Sequence, residues 1–236
     1  MQIPDFSRRS NEAEIMDDLD LGGDLMDQTL DQLALINRFL GGRLLLDGVK
    51  EALGETKPGE EYTVIDLGCG GGESLRQIAD WGRQKGLTLI LIGLDANPHV
   101  IRYASKKSSD YPEIEYLVRD IWSPSFMELE ADLVTCSLFL HHFEATDIQR
   151  LIIQLKQICR KAIVVSDLQR HWLPWILFKV LTFVLGASKM IRFDGALSIR
   201  RGFSRQELNL MARESGWLGS IKWRWAFRFL MILKKG

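Results

Sequence analysis

The residues of this chain whose types and spacing could do chemistry are a glycine run, three acids at the ends of apolar runs, and a pair of histidines. Val64-Ile65-Asp66-Leu67-Gly68-Cys69-Gly70-Gly71-Gly72 is an apolar run that breaks into glycines, and Gly93-Leu94-Asp95-Ala96-Asn97-Pro98 closes a second apolar run on an acid. Glycines let the backbone turn sharply and approach a ligand with no Cβ in the way, and a helix opening just beyond them aims free N–H groups at that ligand. A carboxylate at the end of the next strand is placed to accept both hydroxyls of a ribose, which makes Asp95 the expected ribose ligand. The combination reads as a nucleoside site. Further on, His141 and His142 follow the apolar run Ala131 to Leu138. An imidazole titrates near neutral pH and can take the proton of a hydroxyl nucleophile.

Dinucleotide enzymes also pair a glycine loop with an acid, but their fingerprint is G-x-G-x-x-G/A. Here Gly68, Gly70 and Gly72 alternate, Glu73 fills the sixth position, and Asp66 precedes the first glycine by two residues. In these features the sequence resembles the class I S-adenosylmethionine-dependent methyltransferases, in particular the small-molecule type of quinone and polyketide biosynthesis. The likeness runs from about Tyr62 to Phe143. Ile114 to Ile121 resembles the family's third strand, where Asp120 would accept from the adenine amine and Ile121 would cover one face of the ring. Ala131 to Leu138 resembles the fourth, whose end lies beside the methionine part of the cofactor. Ser198 to Phe203 adds to the likeness.

The resemblance implies S-adenosyl-L-methionine as cofactor, held by Asp66, Gly68, Cys69, Gly70, Gly72, Asp95, Ala96, Asp120, Ile121 and Ser137. It places His141 and His142 at substrate-facing positions. The cofactor's sulfonium already makes its methyl group electrophilic, so the protein has to align an acceptor and remove a proton from it. Adjacent side chains of an extended segment point opposite ways, so one histidine of the pair is expected to act and the other to pack. Metal-assisted transfer of the catechol type needs a carboxylate at the end of the fourth strand, where this chain has Ser137 and Leu138; no metal is expected. Asp167 reads first as a loop acid and second as a partner for a histidine. Arg38 and Asn37 read as contacts for the methionine carboxylate or the substrate, or as surface.

The elements that must position these residues alternate between strand and helix, which calls for a mostly parallel sheet with helices on both faces. Asn97 with Pro98 reads as a helix start, Ala145 to Cys159 as a helix, Ala162 to Leu168 as a strand, and Ser204 with Glu207 as a capping box for a helix that Gly216 ends. An alternating, aromatic stretch from Ile221 to Leu233 reads as a hairpin. The fold expected is α/β, a Rossmann-like three-layer sandwich whose seven-stranded, mostly parallel sheet has, by resemblance, an antiparallel last strand, with helical cap elements added. The expected units are an N-terminal helical lid (1–60), the cofactor-binding core (61–170), an apolar cap insertion (171–199) and the C-terminal part of the core (200–236).

Lid and cap should hold the substrate. An amphipathic helix with Met26, Leu30, Leu33, Asn37 and Leu40 on one face ends at Gly41-Gly42. The run Trp172 to Leu185 is shorter than the ~20 apolar residues of a membrane span and is interrupted by Lys179. It reads as a cap that walls the substrate, pairs two copies in a homodimer, or touches a membrane surface.

With 46% hydrophobic and 26% charged residues over 236 positions, the chain has the composition of a globular domain. Three cysteines, an odd number, argue against a disulfide framework, and the polar, acidic start carries no signal-peptide pattern, so a cytoplasmic location is expected. Net charge is −1, yet residues 1–36 hold nine acids against two arginines while residues 189–236 hold eleven basic residues against three acids. The two ends either dock or leave Arg192, Arg200, Arg201 and Arg205 to attract an anionic substrate or carrier protein. A pI near 6.4 without a basic groove motif argues against nucleic acid. The function expected is methyl transfer to a small, fairly apolar acceptor, free or carried on a protein. An O-methylation of a phenol, quinol or aromatic polyketide comes first; C-methylation of the same class and a non-catalytic cofactor-binding subunit are the alternatives.

Overall fold

A computed structural model of the chain describes residues 4–236. Seven strands form one sheet: β1 (Glu61–Leu67), β2 (Thr88–Asp95), β3 (Ile114–Val118), β4 (Ala131–Ser137), β5 (Cys159–Leu168), β6 (Leu218–Arg224) and β7 (Arg228–Lys234), in the order β3-β2-β1-β4-β5-β7-β6. The first five run parallel, and β7 is antiparallel to both its neighbours. This is the expected three-layer α/β sheet. Strand order reverses between β1 and β4, so a crevice opens beyond the C-terminal ends of those two strands.

Both faces of the sheet are buried, which is why its central strands read as near-continuous apolar runs. Ile65, Val134, Ile163 and Met231 face helices α5 (Ala145–Ile158) and α8 (Arg205–Ser215). Val64, Leu133, Val164 and Leu230 face the opposite layer, helices α2 (Leu44–Leu53), α3 (Glu73–Lys85) and α4 (Pro98–Lys107). The caps are those expected: Asn97 accepts from the N–H groups of His99 and Val100, Ser204 and Glu207 form the capping box of α8, and Gly216 closes it in the left-handed region. Strand β5 begins at Cys159, earlier than Ala162, because the chain passes from α5 into the sheet without a loop.

A further layer covers the C-terminal strand ends: the segment from residue 4 to 23, helix α1 (Asp24–Phe39), α6 (Trp172–Val184) and α7 (Lys189–Arg201). Two expectations are corrected here. The lid over residues 1–60 divides, since α2 buries Leu44, Leu45, Leu46 and Val49 in the core against Leu230 and Ile232. The cap runs past residue 199, because α7 continues to Arg201. The acidic face of α1 closes onto α4, with Asp27 2.6 Å from His99 and Asp31 2.6 Å from the Tyr103 hydroxyl and 2.7 Å from Lys107. Among the described residues no helix is long and apolar enough to cross a membrane.

Candidate active site

The glycine loop between β1 and α3 turns because Gly68, Gly70 and Gly72 all sit at positive φ, between 52° and 78°, a region that side-chain-bearing residues avoid. A Cβ at Gly72 would run into the Tyr116 hydroxyl and one at Gly68 into the Phe139 ring, so the loop lies pressed against β3 and the end of β4. Asp66 is buried below it and accepts from the Thr135 hydroxyl at 2.6 Å. Burial raises its pKa to about 7, with Glu73 and Asp95 adding to the rise against the Thr135 hydrogen bond. Asp95 accepts from the N–H of Gly70 at 3.3 Å and of Asn97 at 3.0 Å, tying the loop to the start of α4.

A cavity of about 1170 Å³ lies beyond these strand ends, larger than the usual ~300–1,000 Å³ of a single-ligand pocket. Asp66, Gly68, Cys69, Gly70, Ser137, His141 and His142 line it, together with Asn37 and Arg38. Gly72, Asp95, Ala96, Asp120 and Ile121 do not line it: Gly72 lies under Tyr116, Ile121 is buried in the core, and the Asp120 carboxylate is turned to the Trp122 N–H at 2.9 Å. The structure therefore gathers the methionine-side half of the expected cofactor set on one cavity wall and leaves the adenine-side half outside that wall.

The histidines occupy a 3-10 turn, Leu140–His142, rather than an extended segment, and this overturns the expectation that their rings diverge. Their centroids are 4.3 Å apart, and both rings reach the cavity. The turn follows Leu138, which takes φ +53° at the end of β4. His141 is buried, its Nδ1 2.7 Å from Asp167 Oδ1 and its Nε2 3.6 Å from Glu14 Oε1. Asp167 is fully buried, yet the charge of His141 and the hydrogen bonds from His141 and the Leu168 N–H outweigh its desolvation and hold its pKa below the usual carboxylate value. An ionised Asp167 can only accept, so His141 Nδ1 donates to it, while Nε2 has no hydrogen-bond partner on the cavity wall. Asp167 is thus a histidine partner, not a loop acid.

The N-terminal segment straps this turn in place. Arg9 donates to the carbonyls of His141 and Phe143 at 2.9 and 2.8 Å and lies over the Phe203 ring. Arg201 donates to the carbonyl of His142 at 2.6 Å and to Asp17 at 2.7 Å, and Asp17 in turn lies 2.6 Å from His142 Nδ1. Asp194 of α7 accepts from the N–H groups of Ile15 and Met16. Desolvation would push the Asp17 carboxyl up, but its bonds to His142 and Arg201 hold it far below the usual range. Glu14 has the opposite balance: desolvation dominates and raises its pKa to about 7, against His142 and Arg201. Glu14 Oε1 and His141 Nε2 are both buried without a hydrogen-bond partner.

Of the four arginines Arg192, Arg200, Arg201 and Arg205, two pair with acids of the N-terminal segment, while Arg192 and Arg205 stay exposed. Arg201 is spent on the strap, Arg200 on Glu12 at 2.9 Å, Arg192 on the Ala187 carbonyl and Arg205 on the Ile221 carbonyl. The acidic N-terminus and basic C-terminus dock. Glu14, Asp17 and Arg228 line or support the cavity without having been singled out as site residues; their only trace in the sequence is that charge asymmetry. Potential ligand atoms of Glu14, His141 and His142 also lie within 4.8 Å of one another, a set that a divalent cation could accept.

Residues 64–162 match the methyltransferase domain model. Among solved structures, an O-methyltransferase family protein from Burkholderia thailandensis is similar at TM-score 0.67 and 15% identity, covering 97% of this chain and 65% of that one. The plantazolicin methyltransferase BpumL, bound to S-adenosylhomocysteine, is similar at TM-score 0.65 and 16% identity over 90% and 89%. An O-methyltransferase family 2 protein from Planctomyces limnophilus, in complex with apigenin, is similar at TM-score 0.65 and 15% identity over 90% and 61%. At these identities the likeness is one of fold. No curated protein matches the sequence.

Proposed function

We propose that the chain methylates an oxygen of a small, fairly apolar acceptor, a phenol, quinol or aromatic polyketide, with His141 as the base. The observation that carries this reading is the buried, unpartnered Nε2 of His141 on the cavity wall, with Nδ1 held by Asp167. S-adenosylmethionine would supply an electrophilic methyl group; the loop Gly68–Gly72, Asp66 and Ser137 would hold it, since Gly68, Gly70, Asp66 and Ser137 line the cavity and no neighbour lies within 4 Å of a Cβ position at Gly70, which leaves room for a ligand. Asp95, Ala96, Asp120 and Ile121 would meet its adenosine. A phenol, with a pKa near ~10, needs its proton removed as the oxygen attacks. His141 Nε2 takes that proton, and Asp167 stabilises the imidazolium while keeping the ring oriented. Glu14, 3.6 Å from Nε2, would bind the same hydroxyl. Pro174, Leu177, Phe178 and Leu181 of α6 form the apolar wall that the acceptor class calls for.

The test is turnover: purified protein with S-adenosylmethionine and a panel of phenols and quinols, with methylated products located by mass spectrometry and NMR. Methyl on oxygen supports the reading, methyl on a ring carbon moves it to C-transfer through the same base, and methyl transfer unaffected by loss of His141 would sink the base assignment.

A further inference from the structure

Strand β7 opens on Arg228, which pairs with Leu168 at the C-terminal end of β5 and lines the cavity together with Asn37, Gln169 and Phe227. The side chain is 3% exposed. One of its nitrogens, Nη2, donates to Asn37 Oδ1 at 2.8 Å, and its Nε has no partner among the described residues. The acid near it is Asp167, already committed to His141 and to the Leu168 N–H. Burial lowers the pKa of Arg228 only to about 10, so the group stays cationic at neutral pH. A buried cation with no carboxylate of its own is costly unless something supplies the opposite charge.

We infer that Arg228 and Asn37 form a subsite for a carboxylate carried by the acceptor, so that the substrate class is a hydroxy acid: an aromatic hydroxyl at His141 and an anionic group at β7. The inference rests on the oxygen-transfer reading above and adds the acceptor's charge to it. A guanidinium presents its donors as a planar fork that matches a carboxylate, and Asn37 fixes one edge of that fork from the lid helix α1. The cofactor also ends in a carboxylate, but its loop lies at β1 and β4. In the sheet order β7 is two strands beyond β4, about 10 Å further at ~4.8 Å per strand. That separation puts Arg228 on the acceptor's side of the cavity.

The probes are 4-hydroxybenzoate and its neutral methyl ester, titrated calorimetrically into the full chain saturated with S-adenosylhomocysteine. The wild-type protein should bind the acid about tenfold or more tighter than the ester, the scale of a hydrogen bond to a charged group. Arg228→Met should abolish that preference while leaving the affinity for S-adenosylhomocysteine and the melting temperature near wild type, and Arg228→Lys should recover part of it. Should Arg228→Met fail to fold, Asn37→Leu and the wild-type acid-to-ester ratio still decide. Equal binding of acid and ester, or binding of neither, overturns the inference. So does a folded Arg228→Met protein that has lost affinity for S-adenosylhomocysteine, since the guanidinium would then hold the cofactor's own carboxylate. Equal binding of acid and ester by a wild-type protein that still methylates neutral phenols in a His141-dependent way would leave the oxygen-transfer reading standing while this one falls.

Discussion

The two halves of the cleft are built in different ways. The cofactor half is local: one glycine loop and the adjoining ends of β1, β2 and β4 supply nearly all of it, and its hydrogen bonds join neighbouring strands, such as Gly70 to Asp95 and Thr135 to Asp66. The acceptor half is assembled from distant segments. Arg201 reaches Asp17 across 184 positions, Arg228 reaches Asn37 across 191, and Arg9 reaches the histidine turn across more than 130. A site for a ligand that many proteins share can be carried as one cassette on a parallel sheet, whereas a site for one particular acceptor is fitted on afterwards by whatever elements pass over the strand ends.

The same difference governs what the sequence disclosed. The glycines, Asp66 and Asp95 are spaced by the loop and strand they sit on, so their placement could be read from neighbours in the chain. Glu14 and Arg228 could not, because nothing near either in sequence signals the partner that gives it meaning. Helix α2 went unread because Gly48 lies in its middle and lowers its helical propensity; in the structure a Cβ there would strike Val164 and Leu230, so the glycine is what lets α2 sit on the sheet. The histidine rings were placed on opposite sides by the geometry of an extended strand, and a three-residue 3-10 turn put them on the same side. The charge asymmetry of the two ends was visible, and it resolved as docking.

If the halves are separate devices, variants in one should leave the other alone. The largest effect is expected for His141→Ala: kcat lower by about 10²–10⁴, the range for loss of a general base, with the affinity for S-adenosylhomocysteine within twofold of wild type. Asp95→Ala should do the reverse. Loss of hydrogen bonds to a charged group should weaken S-adenosylhomocysteine binding by about 10–100-fold in calorimetry, while kcat at saturating cofactor changes little. Should His141→Ala weaken cofactor binding as much as Asp95→Ala does, the division into two devices is wrong.

A smaller effect belongs to pH. Glu14 titrates near 4.5 when exposed and at about 7 in the folded chain, and Asp66 is raised from 3.8 to about 7. Between these values the folded state binds more protons than the unfolded one, so stability falls as pH rises. The stabilisation is fully present below the unfolded values and lost as pH climbs through about 7, worth at most about 3 to 4 kcal/mol per group. Thermal melts should show the wild-type chain losing stability between pH 5 and 8. Glu14→Gln should flatten the acceptor-side share of that loss and Asp66→Asn the cofactor-side share, each without removing the other.

The smallest expected effect is none at all, under chelation. Glu14, His141 and His142 could in principle be read as a two-histidine, one-carboxylate metal set. Burial raises the Glu14 carboxyl to about 7, so a cation bound there would have to displace its proton. A carboxyl that holds a proton beside an unpartnered imidazole nitrogen is instead equipped to share it with a hydroxyl placed between them. Dialysis against EDTA should therefore leave the rate of methyl transfer and its pH profile unchanged. Loss of turnover, restored by a divalent cation and abolished in Glu14→Gln, would convert the acceptor half from an acid–base device into a metal-assisted one, while leaving the cofactor half as described.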